Sequence, residues 1–101
     1  MALGADEQVT FVTESGAEYD VVRKAWGFYA TPSLNKRLVQ FGLRAALVKS
    51  PDGRFYVMLV ERGKEPLFAQ QLASEEQRVM CWMDSPEALE TLARAGEPTN
   101  A

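Results

Sequence analysis

The feature that most constrains this chain is an apolar β-hairpin pattern between residues 43 and 62. Leu43–Lys49 is apolar enough for a strand. Residues 50–53 (SPDG) are typical of a turn, because proline fixes φ and glycine accepts a positive φ. Residues 54–62 then form a second strand that is apolar on both faces. Such a strand is typical of the centre of a covered sheet, so we expect it to be central and Phe55 to lie in the core.

A second pattern, WGFYATPSLNKRLVQFG at residues 26–42, predicts an aromatic strand that leads into a helix. Thr31 or Ser33 can serve as N-cap, and Pro32 suits the first helical position. Gly42 is a suitable residue to end the helix. Apolar residues at i, i+4 and i+7 mark its inner face: Leu34, Leu38 and Phe41.

The remaining segments complete an α+β fold. Alternating residues predict strands at 8–13 and 18–26, and the apolar run 78–83 predicts another strand. Proline-opened helices are predicted from Pro66 and after Ser85. The order is therefore β-β-α-β-β-α-β-α, an antiparallel or mixed sheet of about five strands with three short helices. We expect a flexible leader at 1–7, a single domain at 8–96 and a disordered tail at 97–101.

The residue types present exclude several kinds of active site. The chain has no histidine, which removes the commonest general base and metal ligand, and one cysteine, Cys81, which cannot form an internal disulfide. Phosphate-binding glycine motifs are also missing from the sequence. We therefore predict no catalytic residue, no metal site and no cofactor. An enzyme that uses carboxylates stays open as a third alternative.

The charges are segregated along the chain. Residues 21–60 contain seven cations and one anion, a net charge of +6, and because the whole chain carries −3, the flanks carry −9. Such segregation is typical of a surface that binds anions or nucleic acid, but it also suits acidic helices beside basic strands, or copies that associate through opposite patches. The acidic total disfavours strong non-specific binding to DNA.

These observations favour a small non-catalytic binding or accessory protein that acts through protein–protein contacts, with a protein partner or self-association. The alternative is binding of an anion, a nucleotide or single-stranded nucleic acid at the first helix start, where aromatic and basic residues alternate. The first residues lack a signal-peptide pattern and no run is long enough to span a membrane, so we expect a cytoplasmic protein without a membrane partner. The candidate binding residues are Arg23, Lys24, Trp26, Tyr29, Thr31, Ser33, Lys36 and Arg37.

Overall fold

A computed structural model describes residues 1–97, in which six strands and three helices form an α+β fold. In chain order these are β1 (Gln8–Val12), β2 (Glu18–Lys24), β3 (Gly27–Ala30), α1 (Arg37–Gln40), β4 (Leu43–Lys49), β5 (Phe55–Glu61), α2 (Glu65–Ser74), β6 (Arg78–Trp82) and α3 (Pro86–Gly96). Apart from Glu97, the predicted disordered tail lies outside the described residues. None of the described helices has the length and apolar character needed to cross a membrane.

The first sheet is an antiparallel meander in the order β1-β2-β3. Its first turn holds Gly16 at φ +93°, and the Thr13 hydroxyl accepts a hydrogen bond of 3.1 Å from the Ala17 N–H. The N-terminal segment lies beside β2, where the Asp6 N–H donates to the Arg23 carbonyl at 2.7 Å. The flexibility predicted for residues 1–7 stays a prediction.

The second sheet is also antiparallel and has the order β5-β4-β6. The predicted hairpin is confirmed, since β4 and β5 pair from Leu43↔Glu61 to Lys49↔Phe55 around a turn in which Gly53 has φ +86°. Strand β4 is the central strand, and its pairing with β6 shifts register between Leu47 and Val48. The alternation of side chains along β4 divides the core between the two faces of this sheet.

Two small clusters form the core, one on each face of β4. On the first face, Leu43 and Ala45 pack with Leu38 of α1 and with Ala17. On the opposite face, three residues of β4 and α2 form the second cluster: Ala46, Val48 and Leu72. Leu38 and Val48 are the largest side chains that are fully buried among the described residues. The sequence thus forms two thin apolar layers instead of one thick core.

Two predictions about strands are wrong. The chain forms two sheets of three strands instead of one sheet of about five, and a sixth strand, β3, is present because Ala25 and Trp26 form a turn that lets residues 27–30 fold back on β2. The order is therefore β-β-β-α-β-β-α-β-α, in two sheets of three strands. The strand after the SPDG turn is not central either: β5 lies at a sheet edge, and Phe55 is exposed instead of buried.

The predicted start is correct for α3 but not for α1. In α3 the Ser85 hydroxyl accepts a hydrogen bond from the Ala88 N–H at 3.3 Å, and Pro86 follows at the first position, as predicted. Helix α1 begins only at Arg37, several residues later than predicted. Residues 34–36 form turns, and the Ser33 hydroxyl accepts a hydrogen bond of 3.0 Å from the Arg37 N–H.

Candidate protein interaction surface

Strand β5 exposes apolar side chains at an unpaired edge. Alternate residues of a strand point to the same face, so Phe55, Val57 and Leu59 lie together on one face of the second sheet. Phe55 is 57 % exposed and Val57 is 61 % exposed. Among residues 1–97, β5 pairs with β4 alone, so its other edge faces solvent. We call this edge, together with the side chains of Phe55, Val57 and Leu59, the β5 surface.

The hydrogen bonds at both ends of the hairpin show which backbone groups of β5 are free. The Ser50 N–H donates to the Arg54 carbonyl at 2.8 Å, and the Arg62 N–H donates to the Gly42 carbonyl at 3.0 Å. In an antiparallel ladder the residues alternate between facing the partner and facing away. Even-numbered residues of β5 therefore bond to β4. The N–H and C=O groups of Phe55, Val57 and Leu59 point outward, away from β4.

Two apolar surface grooves lie near the second sheet, and one of them contains a residue of the β5 surface. A groove of about 400 Å³ lies between β1 and β5 and is lined by Phe11, Val12 and Leu59, among others. A second groove, of about 430 Å³, lies where α3 crosses the sheet beyond β4, and Leu47, Cys81 and Leu92 contribute to its wall. The groove beside Leu59 thus extends the apolar part of the β5 surface toward β1.

Charged groups mark the two ends of β5. The Lys49 ammonium lies 5.5 Å from the centre of the Phe55 ring, a cation–π contact. At the other end, hydrogen bonds from the Ser15 hydroxyl and from Lys64 lower the pKa of Glu61. Near the hairpin turn, the Ser50 hydroxyl and the Arg54 N–H lower the pKa of Asp52. Both carboxylates are therefore charged at neutral pH, and they frame the apolar edge.

Among residues 1–97, the polar group with the most hydrogen-bonded ion-pair contacts is the Arg44 guanidinium, which has a structural explanation. The Arg44 guanidinium donates to both carboxylate oxygens of Asp84, at 2.9 and 3.2 Å, and to Glu65 at 3.3 Å. It also lies 4.0 Å from the centre of the Trp82 ring. The hydrogen bonds to Asp84 raise the pKa of Arg44. This cluster joins β4 to the start of α2 and to the loop before α3, so it stabilises the fold.

Four of the candidate binding residues lie on the β2–β3 hairpin. The Arg23 guanidinium donates to the Gly27 carbonyl at 3.2 Å and lies 5.7 Å from the Phe28 ring centre. Lys24 forms an ion pair of 3.1 Å with Asp6. Trp26, in the turn, is 74 % exposed, and Tyr29 is about half exposed. The hairpin therefore presents aromatic rings to solvent, but both of its cations already have partners.

The other four candidates lie on the segment from the end of β3 to Arg37, the first residue of α1. The Thr31 N–H donates to the Asp20 carbonyl at 3.1 Å, which anchors the segment to β2. The Ser33 hydroxyl accepts a hydrogen bond from the Arg37 N–H, but Lys36 holds the N-cap position of the four-residue helix α1. The prediction of Thr31 or Ser33 as N-cap is therefore wrong. Lys36 precedes this helix, and the Arg37 guanidinium lies 5.5 Å from the Phe41 ring centre. No hydrogen bond or ion pair among residues 1–97 joins this segment to the candidates on the hairpin.

The sequence interpretation missed the β5 surface because it assigned those residues to the core. Its one available signal was the apolar character of both faces of residues 54–62. In the part of the chain that the structure describes, no group of three or more acidic or cysteine side chains is placed to hold a metal ion. Comparison with models of protein families, with curated proteins and with solved structures finds no match for this chain.

Proposed function

We propose that this chain is a non-catalytic binding or accessory protein that acts through protein–protein contact at the β5 surface. The observation that carries this proposal is the seven-residue edge strand β5, which offers outward backbone groups and exposed Phe55 and Val57 side chains at the same place. Natural edge strands are usually shielded by charges, prolines, bulges or covering elements. Residues 55–60 contain no charge and no proline, and the β4–β5 register is continuous.

The shape of the β5 surface favours a polypeptide over a small molecule. A small ligand is usually enclosed on most sides, whereas the groove beside Leu59 lies on the protein surface and is partly open to solvent. An extended partner strand can use the free N–H and C=O groups of Val57 and Leu59, while its side chains cover the apolar face. Binding of this kind needs no catalytic group, which agrees with the residue types available.

Affinity capture with matched variants tests the proposal. Val57→Lys places a charge at the centre of the β5 surface, whereas Leu67→Lys places the same charge on α2 at a side chain of similar exposure, 63 %. Immobilised wild-type protein and the Leu67→Lys variant should retain the same proteins from an extract of the source cells, and Val57→Lys should lose them. Identical retention by all three proteins would refute the proposal.

A second candidate function rests on the aromatic residues of the β2–β3 hairpin. Trp26, Phe28 and Tyr29 are all exposed, and exposed rings beside cations are used to stack the bases of single-stranded nucleic acid. An NMR titration with phosphate, nucleotides and a short oligonucleotide tests this candidate. Saturable, salt-dependent shifts at residues 26–29 would support it, and unchanged spectra at millimolar ligand would refute it.

The carboxylate-enzyme alternative gains no support from the electrostatics of the described residues. The carboxyl groups with shifted pKa values are Asp52, Glu61 and Glu65, and all three pKa values are lowered. A carboxylic acid that donates a proton near neutral pH needs a raised pKa instead.

A further inference from the structure

We propose that the occupant of the β5 surface is β5 of a second copy of this chain, paired antiparallel about Met58. This inference rests on the proposed protein-binding function and adds the partner and its register. The pairing joins two three-stranded sheets into one six-stranded sheet across a two-fold axis. Such an interface is isologous, so every contact is made twice.

The free backbone groups fit this register. Centring the pair on Met58 places Val57 opposite Leu59 of the second copy, and both residues point their N–H and C=O groups outward. Phe55 lies opposite Glu61 of the second copy, whose N–H also points outward. The Glu61 carbonyl already accepts a hydrogen bond from the Lys64 N–H. About six new backbone hydrogen bonds therefore form without breaking any bond to β4.

The two pairs of side chains next to Met58 are apolar in this register. On the exposed face, Val57 meets Leu59, and on the other face Tyr56 meets Val60, an aromatic and β-branched pair that is favourable across strands. Because odd residues meet odd residues, the apolar faces of the two copies lie on the same side of the joined sheet. A strand with this pattern is complementary to itself.

The charges at the ends of β5 are also compatible with a second copy. Glu61 of one copy lies opposite Phe55 of the other copy, and Phe55 is paired with Lys49 on β4. The pairing therefore brings the Glu61 carboxylate toward the Lys49 ammonium of the second copy. Arg54 lies opposite Arg62 of the second copy at the rim. Each Arg54 guanidinium lies 3.3 Å from the Asp52 carboxylate of its own chain. This ion pair reduces the repulsion between Arg54 and Arg62 of the second copy.

The surface area of the chain suits an assembly better than a monomer. The accessible surface is 7329 Å² for a mass of 11.2 kDa, whereas a compact monomer of that mass exposes about 5,700 Å². The radius of gyration, 15.6 Å, also exceeds the ~13 Å of a compact domain of about 100 residues. The difference, about 1,600 Å², includes the exposed N-terminal residues and is larger than the roughly 800 Å² that each partner buries in a standard interface.

Sedimentation equilibrium of the full chain over micromolar concentrations tests the pairing. The wild-type protein and Leu67→Lys should have the mass of a dimer. Val57→Lys should raise the dimer dissociation constant by roughly tenfold or more, because an ammonium group replaces an apolar side chain at the centre of the interface. A wild-type protein that is monomeric throughout, or a dimer that is indifferent to Val57→Lys, overturns the inference.

Disulfide trapping tests the register. In a background of Cys81→Ser, Met58→Cys should form a covalent dimer on mild oxidation, because a directly opposed residue pair without mutual backbone hydrogen bonds lies about 4.5 Å apart at Cα. Tyr56→Cys is the control, since in this register Tyr56 lies opposite Val60 and far from its own copy. Crosslinking of Tyr56→Cys without crosslinking of Met58→Cys overturns the register.

The two assays separate the failure of this inference from the failure of the proposed function. A monomeric chain that still captures another protein in a Val57-dependent manner refutes self-pairing and leaves the proposed function standing. A monomeric chain whose capture is indifferent to Val57→Lys refutes both.

Discussion

Replacing Arg44 by methionine removes the guanidinium that joins β4 to Asp84 and Trp82 while it keeps an unbranched apolar stem. Its two hydrogen bonds to Asp84 are charge-assisted, and the Arg44 and Asp84 side chains are only 26 % and 16 % exposed. Because solvent partly screens these charges, we expect the loss of the two hydrogen bonds to lower the free energy of unfolding by about 1.5–2 kcal/mol. The loss of the contact with Trp82 lowers it by about 0.5–1 kcal/mol more. We expect the free energy of unfolding to fall by about 2–3 kcal/mol. For a domain of this size, that corresponds to a decrease in Tm of roughly 10–20 °C.

The pair of Arg54 with Asp52 provides a matched control. The Arg54 and Asp52 side chains are 75 % and 58 % exposed, so Arg54→Met should leave the free energy of unfolding unchanged within error. Urea denaturation followed by circular dichroism measures both variants, and a double-mutant cycle with Asp84→Asn isolates the coupling between Arg44 and Asp84. Equal stability of Arg44→Met and Arg54→Met would refute the assignment of Arg44 as a structural link.

Three further predictions concern the core, a helix cap and acid stability. Leu38→Ala should reduce the free energy of unfolding by about 3 kcal/mol, because Leu38 is fully buried, and a loss below about 1 kcal/mol in urea denaturation would contradict its place in the core. Ser85→Ala should cost about 1 kcal/mol in the same assay through loss of the α3 cap, whereas Ser85→Asp should retain most of the stability. The pKa of Glu61 is lowered from an ordinary 4.5. The ionised Glu61 side chain therefore stabilises the fold above about pH 4.5, and this stabilisation is lost as the pH falls through the lowered pKa. Glu61→Gln should therefore lose less stability than the wild type on acidification below about pH 4.5, and equal acid sensitivity would contradict this explanation.

Local signals predicted much of the fold where short-range chemistry decides the structure. The SPDG sequence predicted the β4–β5 hairpin correctly, because residues 50–53 favour a turn through their own backbone preferences. The Ser85 and Pro86 pair marked the start of α3 for a similar reason. The start of α1 was less predictable, since Thr31, Ser33 and Lys36 all precede a short helix and the sequence does not show which turns are helical.

The position of β5 could not be predicted, because a hydrophobic pattern does not show which polypeptide covers it. Val57 and Phe55 have the apolar side chains that are typical of a central strand. In the structure, however, β6 pairs with the second edge of β4, so β4 is the central strand and β5 lies at the sheet edge. A strand covered by its own fold and a strand covered by a second chain have the same sequence pattern. This difference between pattern and position is what identified the candidate surface.

The candidate binding residues show the same limit. The sequence left open whether Trp26 is exposed or lies in the core, and it did not show that Lys24 is paired with Asp6 or that the Ser33 hydroxyl accepts a hydrogen bond from the Arg37 N–H. Those contacts join residues across a sheet or a turn, so they depend on register, which spacing along the chain does not specify.

Amide hydrogen exchange at neighbouring residues of β5 reports whether the outer edge of this strand binds a second copy. The Val57 and Leu59 N–H groups point away from β4, whereas the Met58 N–H bonds to β4 within the same chain. We expect the exchange of Val57 and Leu59 to slow as protein concentration rises through the dimer dissociation constant, while Met58 stays protected at every concentration. Exchange at Val57 and Leu59 that is rapid and independent of concentration would contradict the claim that the edge of β5 binds a second copy.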